Sequence, residues 1–376
     1  MIKVLNIISD TNIGGAGRVL LNYLQYDNRT DFETAVAVPK GSLLAQPLRD
    51  LGAAVYEVEG MVDRSYHKDD VKVLMDLIRE VDPDIVHTHG ALSGRIAGRR
   101  CGKTVIFTRH SAFPVSAKLR YPPGRWVNKL LNEHYSDHII AVSPAAAENL
   151  TDAGVSPKRI TTMMNGVAPV TRRGEAECAA AKAEWGIGKE DFVFGILARI
   201  ETYKGHLDIV NAAEMLAKEG RNFKLLIAGI GNYEEELRKE VTARRLDDHV
   251  RFLGFQSDVA KFLSILDVQL NASYGTETSS LSILEGFSMN VPAIVSDYGG
   301  NPWLVDQGEN GLLFKTRDAE ELYRCIAKVM DEPETLQRMS RRAGEIFNER
   351  FTGQIFAQNI ENVYRKTLKG ANHGRK

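Results

Sequence analysis

The chain has 376 residues, 43% of them hydrophobic and 26% charged, with 32 glycines, 12 prolines and three cysteines. These proportions exclude a disordered, collagen-like or disulfide-stapled chain, and the length exceeds what one hydrophobic core commonly fills, so two domains are expected. The net charge of −1 gives no whole-molecule attraction to nucleic acid.

Cys101, Cys178 and Cys325 are far apart, with no CxxC spacing. Neither a zinc site nor a disulfide framework is indicated, and a reducing compartment fits. Met1–Asp10 reads as a first strand and not as a signal peptide. No apolar run approaches the roughly 18 residues that span a bilayer. The expectation is a cytoplasmic chain, with peripheral association at the inner face of the cytoplasmic membrane as an added option.

Short apolar runs alternate with helical-period segments. Val4–Ser9, Thr34–Val38, Ala54–Val58, Ile85–His89, Thr104–Thr108 and His138–Val142 read as buried strands, and Arg18–Tyr26, Ser42–Leu51, Val71–Val81 and Ala145–Ala153 as helices. The series pauses at Thr161–Glu177, which holds Asn165-Gly166 and Pro169. It restarts with strands Phe192–Ala198, Lys224–Ala228, Val250–Phe252, Val268–Leu270 and Ala293–Ser296, and with helices Leu207–Lys218, Glu234–Arg245, Asp258–Leu266 and Leu281–Met289. Such alternation is the pattern of a parallel sheet covered on both faces. The fold class is therefore α/β, with two tandem, doubly wound, Rossmann-like domains. Their expected bounds are 1–168 and 169–350, and 351–376 forms a helical-polar tail that crosses back to the first domain or packs on the second. Ligands of such sheets bind outside the carboxyl ends of the strands. Two tandem sheets would then face each other across a cleft, which suits a two-substrate enzyme.

In the second half, Arg199 follows a strand, and Lys204-Gly205 comes five residues later. Two cations on such a loop suit a diphosphate of about two negative charges, or are two solvated loop charges. Gly229-Ile230-Gly231 ends the next strand and lacks the third glycine of a dinucleotide fingerprint. The most informative segment is Tyr274–Gly286. A small-residue loop leads to Ser279 or Ser280 as helix cap, and amides around Ser279, Ser280 and Leu281 would form an anion site. Dipole stabilisation accounts for Glu277 before the cap but not for Glu285, one to two turns into the helix. A carboxylate at that depth suits ribose hydroxyls.

Glu277-x7-Glu285, preceded by Arg199-x4-Lys204-Gly205 and followed by Ser296-Asp297-Tyr298-Gly299-Gly300, resembles the retaining family-4 glycosyltransferases of the GT-B fold. The likeness runs from Gly14 to about Phe314. It implies that Arg199 and Lys204 hold the donor diphosphate with the amides near Ser280, that Glu285 holds the ribose, that Glu277 approaches the donor sugar, and that the loops after Gly229 and Leu253, with Phe255, flank the base. It also implies a first domain for the acceptor and a second for the donor. One departure is Asn301-Pro302-Trp303 after the paired glycines, where the family commonly continues with Pro-Glu.

In the first half, Gly14-Gly15-Ala16-Gly17-Arg18 links the first strand to the first helix, where glycines let a backbone approach a ligand, or form a plain turn. The resemblance favours Gly15 as a donor contact. His87-Thr88-His89 ends a strand with both imidazoles on one face; it is weak as a metal pair, and His87 suits a packed role. Arg109-His110, with Pro114 four residues on, resembles the family region whose His borders the reaction centre, so His110 joins Glu277 as a catalytic candidate. Asp82-Pro83-Asp84 precedes its strand and reads as a turn, not a chelate. With two cations facing the diphosphate, no metal is expected and no cofactor beyond the nucleotide-sugar co-substrate.

Residues 1–168 carry 20 basic and 18 acidic side chains, and residues 169–376 carry 28 and 31. Ile85–Asn132 nevertheless holds nine cations and no acid: Arg95, Arg99, Arg100, Lys103, Arg109, Lys118, Arg120, Arg125 and Lys129. Such a run is usually a solvated face. Here Ser116–Leu131 interleaves it with Leu119, Tyr121, Trp126, Val127, Leu130 and Leu131, as an interfacial segment at an anionic lipid surface requires. Arg95, Arg99, Lys118, Arg120, Arg125, Trp126 and Lys129 are the expected acceptor or membrane surface.

The whole reads as a retaining, metal-independent hexosyltransferase moving a sugar from a nucleotide-diphosphate donor to the hydroxyl of a lipid-linked or cell-surface glycan. A UDP-sugar is the first expectation and GDP-mannose the second. The alternatives are a nucleotide-sugar epimerase or hydrolase, or a catalytically silent glycan- or polyanion-binding protein.

Overall fold

The computed structural model describes every residue except Val62, Pro114, Arg375 and Lys376, with residues 371–374 as backbone only. The chain divides into two units, Met1–Ala168 with Thr352–Lys376, and Pro169–Phe351.

The first unit holds a seven-stranded parallel sheet. Its strands are β1 (Ile2–Ile8), β2 (Phe32–Pro39), β3 (Ala54–Val58), β4 (Ile85–His89), β5 (Thr104–Arg109), β6 (His138–Ala141) and β7 (Ile160–Thr162), in the order β3-β2-β1-β4-β5-β6-β7. The second unit holds six parallel strands: β8 (Phe192–Leu197), β9 (Phe223–Ala228), β10 (Val250–Gly254), β11 (Val268–Asn271), β12 (Ala293–Ser296) and β13 (Gly311–Phe314), in the order β10-β9-β8-β11-β12-β13. The central strands β1, β4, β8 and β11 are buried along almost their whole length because helices cover both faces of each sheet. Strand order reverses between β1 and β4 and between β8 and β11. Loops at the carboxyl ends of those pairs part at these points and leave a crevice.

Two strands escaped the sequence reading. Ile160–Thr162 is only three residues long and falls in the segment taken for a pause. Gly311 opens β13 because a Cβ there would stand 2.0 Å from the Ala293 carbonyl oxygen, and a glycine weakens any strand signal. Two helices, Ala319–Asp331 and Pro333–Arg350, complete the second unit. The last helix, Gly353–Gly374, belongs to the first unit and buries Phe356, Ile360 and Tyr364 there.

Asp82-Pro83-Asp84 is a turn: Asp82 ends its helix with a left-handed backbone and pairs with Lys103, while the Asp84 carboxylate accepts from the Lys3 amide at 2.8 Å.

Candidate functional site

In the second unit, the loops after β8 and β11, on either side of the strand reversal, are bound to each other. Lys204 Nζ donates to Glu277 Oε2 at 3.0 Å. The same oxygen accepts from Asn271 Nδ2 and Ser273 Oγ, each at 3.0 Å. Burial opposes the Glu277 charge, but Lys204, Asn271 and Ser273 outweigh it and hold the carboxyl below its ordinary range. The Glu277 carboxyl is thus ionised at neutral pH. Lys204 does not face a donor as a lone cation: Glu277 offsets its charge, which revises the two-cation count from sequence. Lysine has three N–H donors, so the contact does not exhaust it.

Glycines bring these loops together. Gly205 has φ +73°, and a Cβ there would lie 2.0 Å from the Ala272 carbonyl oxygen. Gly229, at φ +141°, would strike the Ala198 oxygen at 1.9 Å, and Gly231 the Ile200 oxygen at 2.1 Å. The Gly-x-Gly turn after β9 therefore braces the loop carrying Arg199. Arg199 is exposed, its Nη2 donating to Tyr203 Oη at 3.0 Å. Gly300 donates its amide to the Glu277 carbonyl at 3.1 Å. The paired glycines thus back the glutamate loop, while the Trp303 side chain is 53% exposed.

Ser280 precedes the helix Leu281–Ser288, but no side-chain cap forms. Its Oγ lies 3.1 Å from Ser282 Oγ instead. Of the two serines expected as caps, Ser280 does not close that terminus with its hydroxyl. Ser279 and Ser280 are buried, Leu281 and Glu285 partly exposed. Phe255 follows β10 and is 72% exposed, and Ile230 on the neighbouring turn is also exposed.

In the first unit, three histidines line the ends of β4 and β5. His89 Nδ1 is 2.9 Å from His110 Nε2, and His89 Nε2 is 3.1 Å from Asn6 Oδ1. His87 lies 2.6 Å from both the Tyr364 hydroxyl and Thr108 Oγ1, the packed role expected for it. The His87 and His89 ring centres lie 4.5 Å apart with the planes tilted by 36°, and the His89 and His110 rings stack at 5.2 Å. Burial holds all three neutral: His110 falls to about 4, with Arg109 adding to the effect, His87 to about 3, and His89 well below its ordinary value. Gly15 is exposed where its helix begins, with nothing within 4 Å of a Cβ position. Pro114, part of the His110 motif, lies outside the described residues.

The basic run separates into two groups. Arg95 is only 7% exposed, its guanidinium lying 4.2 Å from the Phe107 ring centre. Gly94 and Gly98 let its helix sit close to β4 and β5, so Arg95 is turned inward and is not a surface residue. Arg99, on that same helix, is partly exposed and paired with Asp137 at 2.9 Å. The expectation of Arg95 as a surface residue is corrected. Ala117–Arg120 and Gly124–His134 do form exposed helices, with Trp126 66% and Leu130 68% exposed beside Tyr121 and Val127. Arg120 pairs with Asp152 and Lys129 with Glu133. Lys118 and Arg125 have no ion pair among the described residues.

Asn6, Asn271, Ser273 and Tyr203 were missed by sequence reasoning. A polar residue inside or at the end of a buried strand was the available signal for Asn6 and Asn271. Among the described residues, no group of three His, Cys, Asp or Glu side chains is arranged to hold a metal ion.

Residues 13–170 match the family model "Glycosyltransferase Family 4", and residues 179–346 match "Glycosyl transferases group 1". The chain belongs to the family-4 glycosyltransferases. It is 25% identical to a putative glycosyltransferase, EpsD, of Bacillus subtilis, over 77% of this chain and 78% of the relative. It is 27% identical to the UDP-Gal:alpha-D-GlcNAc-diphosphoundecaprenol alpha-1,3-galactosyltransferase of Escherichia coli, over 69% of each. The crystal structure of Anabaena Alr3699/HepE in complex with UDP superposes with a TM-score of 0.83 at 18% identity, covering 97% of this chain and all of that one. That likeness establishes the GT-B architecture for this family member.

Proposed function

We propose that this glycosyltransferase moves a hexose, with retention of anomeric configuration, from a UDP-sugar to a hydroxyl of a lipid-linked or cell-envelope glycan at an anionic membrane surface. The observation that carries the donor half is the Lys204–Glu277 pair joining the two loops where strand order reverses. A diphosphate in that crevice meets Arg199, the remaining Lys204 protons and the amides at Ser279–Leu281. These groups stabilise negative charge as it grows on the leaving diphosphate. The fixed carboxylate of Glu277 faces the donor sugar, Glu285 takes the ribose hydroxyls, and Phe255 and Gly229 border the base. His110, kept neutral, offers a hydrogen bond to a sugar hydroxyl without adding charge, and Gly15 is a donor contact on the strength of the family resemblance. UDP is favoured because the Escherichia coli relative is named for UDP-Gal and the Anabaena structure holds UDP.

On this reading the diphosphate is neutralised by side chains and amides, so chelation with EDTA changes the transfer rate less than twofold. The acceptor surface is the helix Gly124–His134 with Lys118, Arg125 and Trp126, which has the mixed apolar and cationic face that anionic lipid attracts. No helix among the described residues is long and apolar enough to cross a membrane.

Thermal shift with UDP, GDP and ADP tests the donor assignment, since a ligand of the native state raises its stability by mass action. UDP is expected to give the largest rise, and Glu285→Ala to reduce it. A larger rise with GDP would replace the base, and an unchanged rise in Glu285→Ala would remove the ribose assignment. A panel of nucleotide sugars scored for transfer, hydrolysis and epimerisation then separates the reaction types.

A further inference from the structure

A cavity of about 440 Å³ lies within the first unit, beside His89 and His110. Phe107 and Leu150 form part of its wall, and Phe113, Leu119 and Leu131 line it where it meets the exposed apolar helices. Two guanidinium groups, Arg95 and Arg109, also line it, and no Asp or Glu does. Arg95 Nη1 donates to Asn132 Oδ1 at 2.8 Å, while its Nε is buried with no hydrogen-bond partner. Arg109 donates to the Ser111 carbonyl at 2.9 Å and to Asn149 Oδ1 at 3.2 Å. All three acceptors are neutral. Among the described residues neither arginine has an ion pair. Burial, then the neighbouring Arg109, brings Arg95 down to about 10, and burial also lowers Arg109.

A buried charge is normally matched by an opposite one, because leaving water is costly for an ion. The contrast with Lys204, whose partner is Glu277, is direct. Two cations facing one cavity without a counter-charge imply that the counter-charge arrives with a ligand. Guanidinium forks suit phosphate oxygens in particular. The cavity's apolar lining by Phe113, Leu119 and Leu131 requires that the same ligand also carry hydrocarbon.

We propose that this cavity binds the acceptor as an anionic amphiphile, with a phosphate on Arg95 and Arg109 and a hydrocarbon chain leaving past Phe113, Leu119 and Leu131. The assignment deepens the glycosyltransferase reading and rests on it for the word acceptor, but the binding itself needs no donor. A neutral lipid would leave both guanidinium groups uncompensated. A free phosphate would leave the apolar wall unused.

Calorimetric titration of the full chain with farnesyl phosphate, farnesol and inorganic phosphate decides between these. Farnesyl phosphate is expected to bind at least tenfold tighter than either of the others, and to weaken when salt is raised. Arg95→Met and Arg109→Gln should each lose at least tenfold for farnesyl phosphate while changing farnesol less than twofold. Farnesol binding as tightly as its phosphate would overturn the anion site. Inorganic phosphate binding as tightly would overturn the amphiphile. Should Arg95→Met fail to fold, Arg109→Gln and the three-ligand comparison on the unmodified chain still decide. UDP titrated into the same samples reports on the donor site separately: lost UDP binding with intact farnesyl phosphate binding counts against the proposed function, and the reverse counts against the cavity.

Discussion

The two units solve the problem of burying titratable groups in opposite ways. At the end of β11, Glu277 is kept ionised by Lys204, Asn271 and Ser273. At the ends of β4 and β5, His87, His89 and His110 are kept neutral by burial, and then by one another and by Arg109. A buried pair of opposite charges tolerates an approaching anion because one end of it is a cation. A neutral row keeps its hydrogen-bonding capacity without carrying net charge. The difference teaches that the same strand-end position carries different chemistry according to which partners the neighbouring strand supplies.

The largest expected effect comes from breaking the ionised pair. Lys204→Met leaves a buried carboxylate without its counter-charge, and removal of one partner from a buried pair costs about 3–5 kcal/mol. A urea unfolding curve checks this, and a loss under about 1 kcal/mol would show that Asn271 and Ser273 alone suffice, since neutral hydrogen bonds contribute roughly 0.5–1.5 kcal/mol each. Next comes the neutral row. His110→Ala is expected to lower the transfer rate by about tenfold, the worth of one lost hydrogen bond at the upper end of roughly 0.5–1.5 kcal/mol, with UDP affinity unchanged. A smaller loss would place His110 outside the reacting region.

The pH dependence sharpens the comparison. A histidine whose native value is depressed is fully stabilising above its ordinary 6.5, and that contribution is lost as pH falls from 6.5 toward the native value, because the unfolded chain then binds more protons. Each such group costs about 1.4 kcal/mol per pH unit in that window. The lowered carboxyl of Glu277 behaves differently. Its contribution persists above the ordinary value of 4.5 and is lost only as pH falls through its native value. The urea midpoint should therefore decline below pH 6.5, and His87→Gln should flatten the decline between pH 6.5 and 5. An unaltered slope would assign the decline elsewhere. The smallest effect concerns the exposed helices. Lys118→Gln and Arg125→Gln should each weaken flotation with anionic vesicles by roughly fivefold, from about 1 kcal/mol per cation. Arg120→Gln and Lys129→Gln should do less, because Asp152 and Glu133 already offset those charges. Equal effects from all four would make the surface a diffuse charge and not a docking face.

Most strands were legible because both-sides burial writes itself as short, mostly apolar runs. Ile160–Thr162 and Gly311–Phe314 were not, one for brevity and the other for its glycine. The basic run was legible as a list and misleading as a surface. Sequence places Arg95 and Lys118 in one stretch, whereas Gly94 and Gly98 draw the helix of Arg95 onto the sheet and leave Lys118 outside.

By itself, the sequence determined the alternation of strand and helix, the loops that end β8 and β11, and the family, because periodicity and motif spacing are local properties. Tertiary structure alone decided that Glu277 meets Lys204, that His89 meets His110 and Asn6, and that Arg95 is buried beside a cavity. Those contacts join residues 73, 21, 83 and, for Arg95 and Asn132, 37 positions apart. Parallel strands bring their carboxyl ends together only after every intervening helix has crossed the sheet. Contacts of that kind depend on strand order, which local periodicity does not encode.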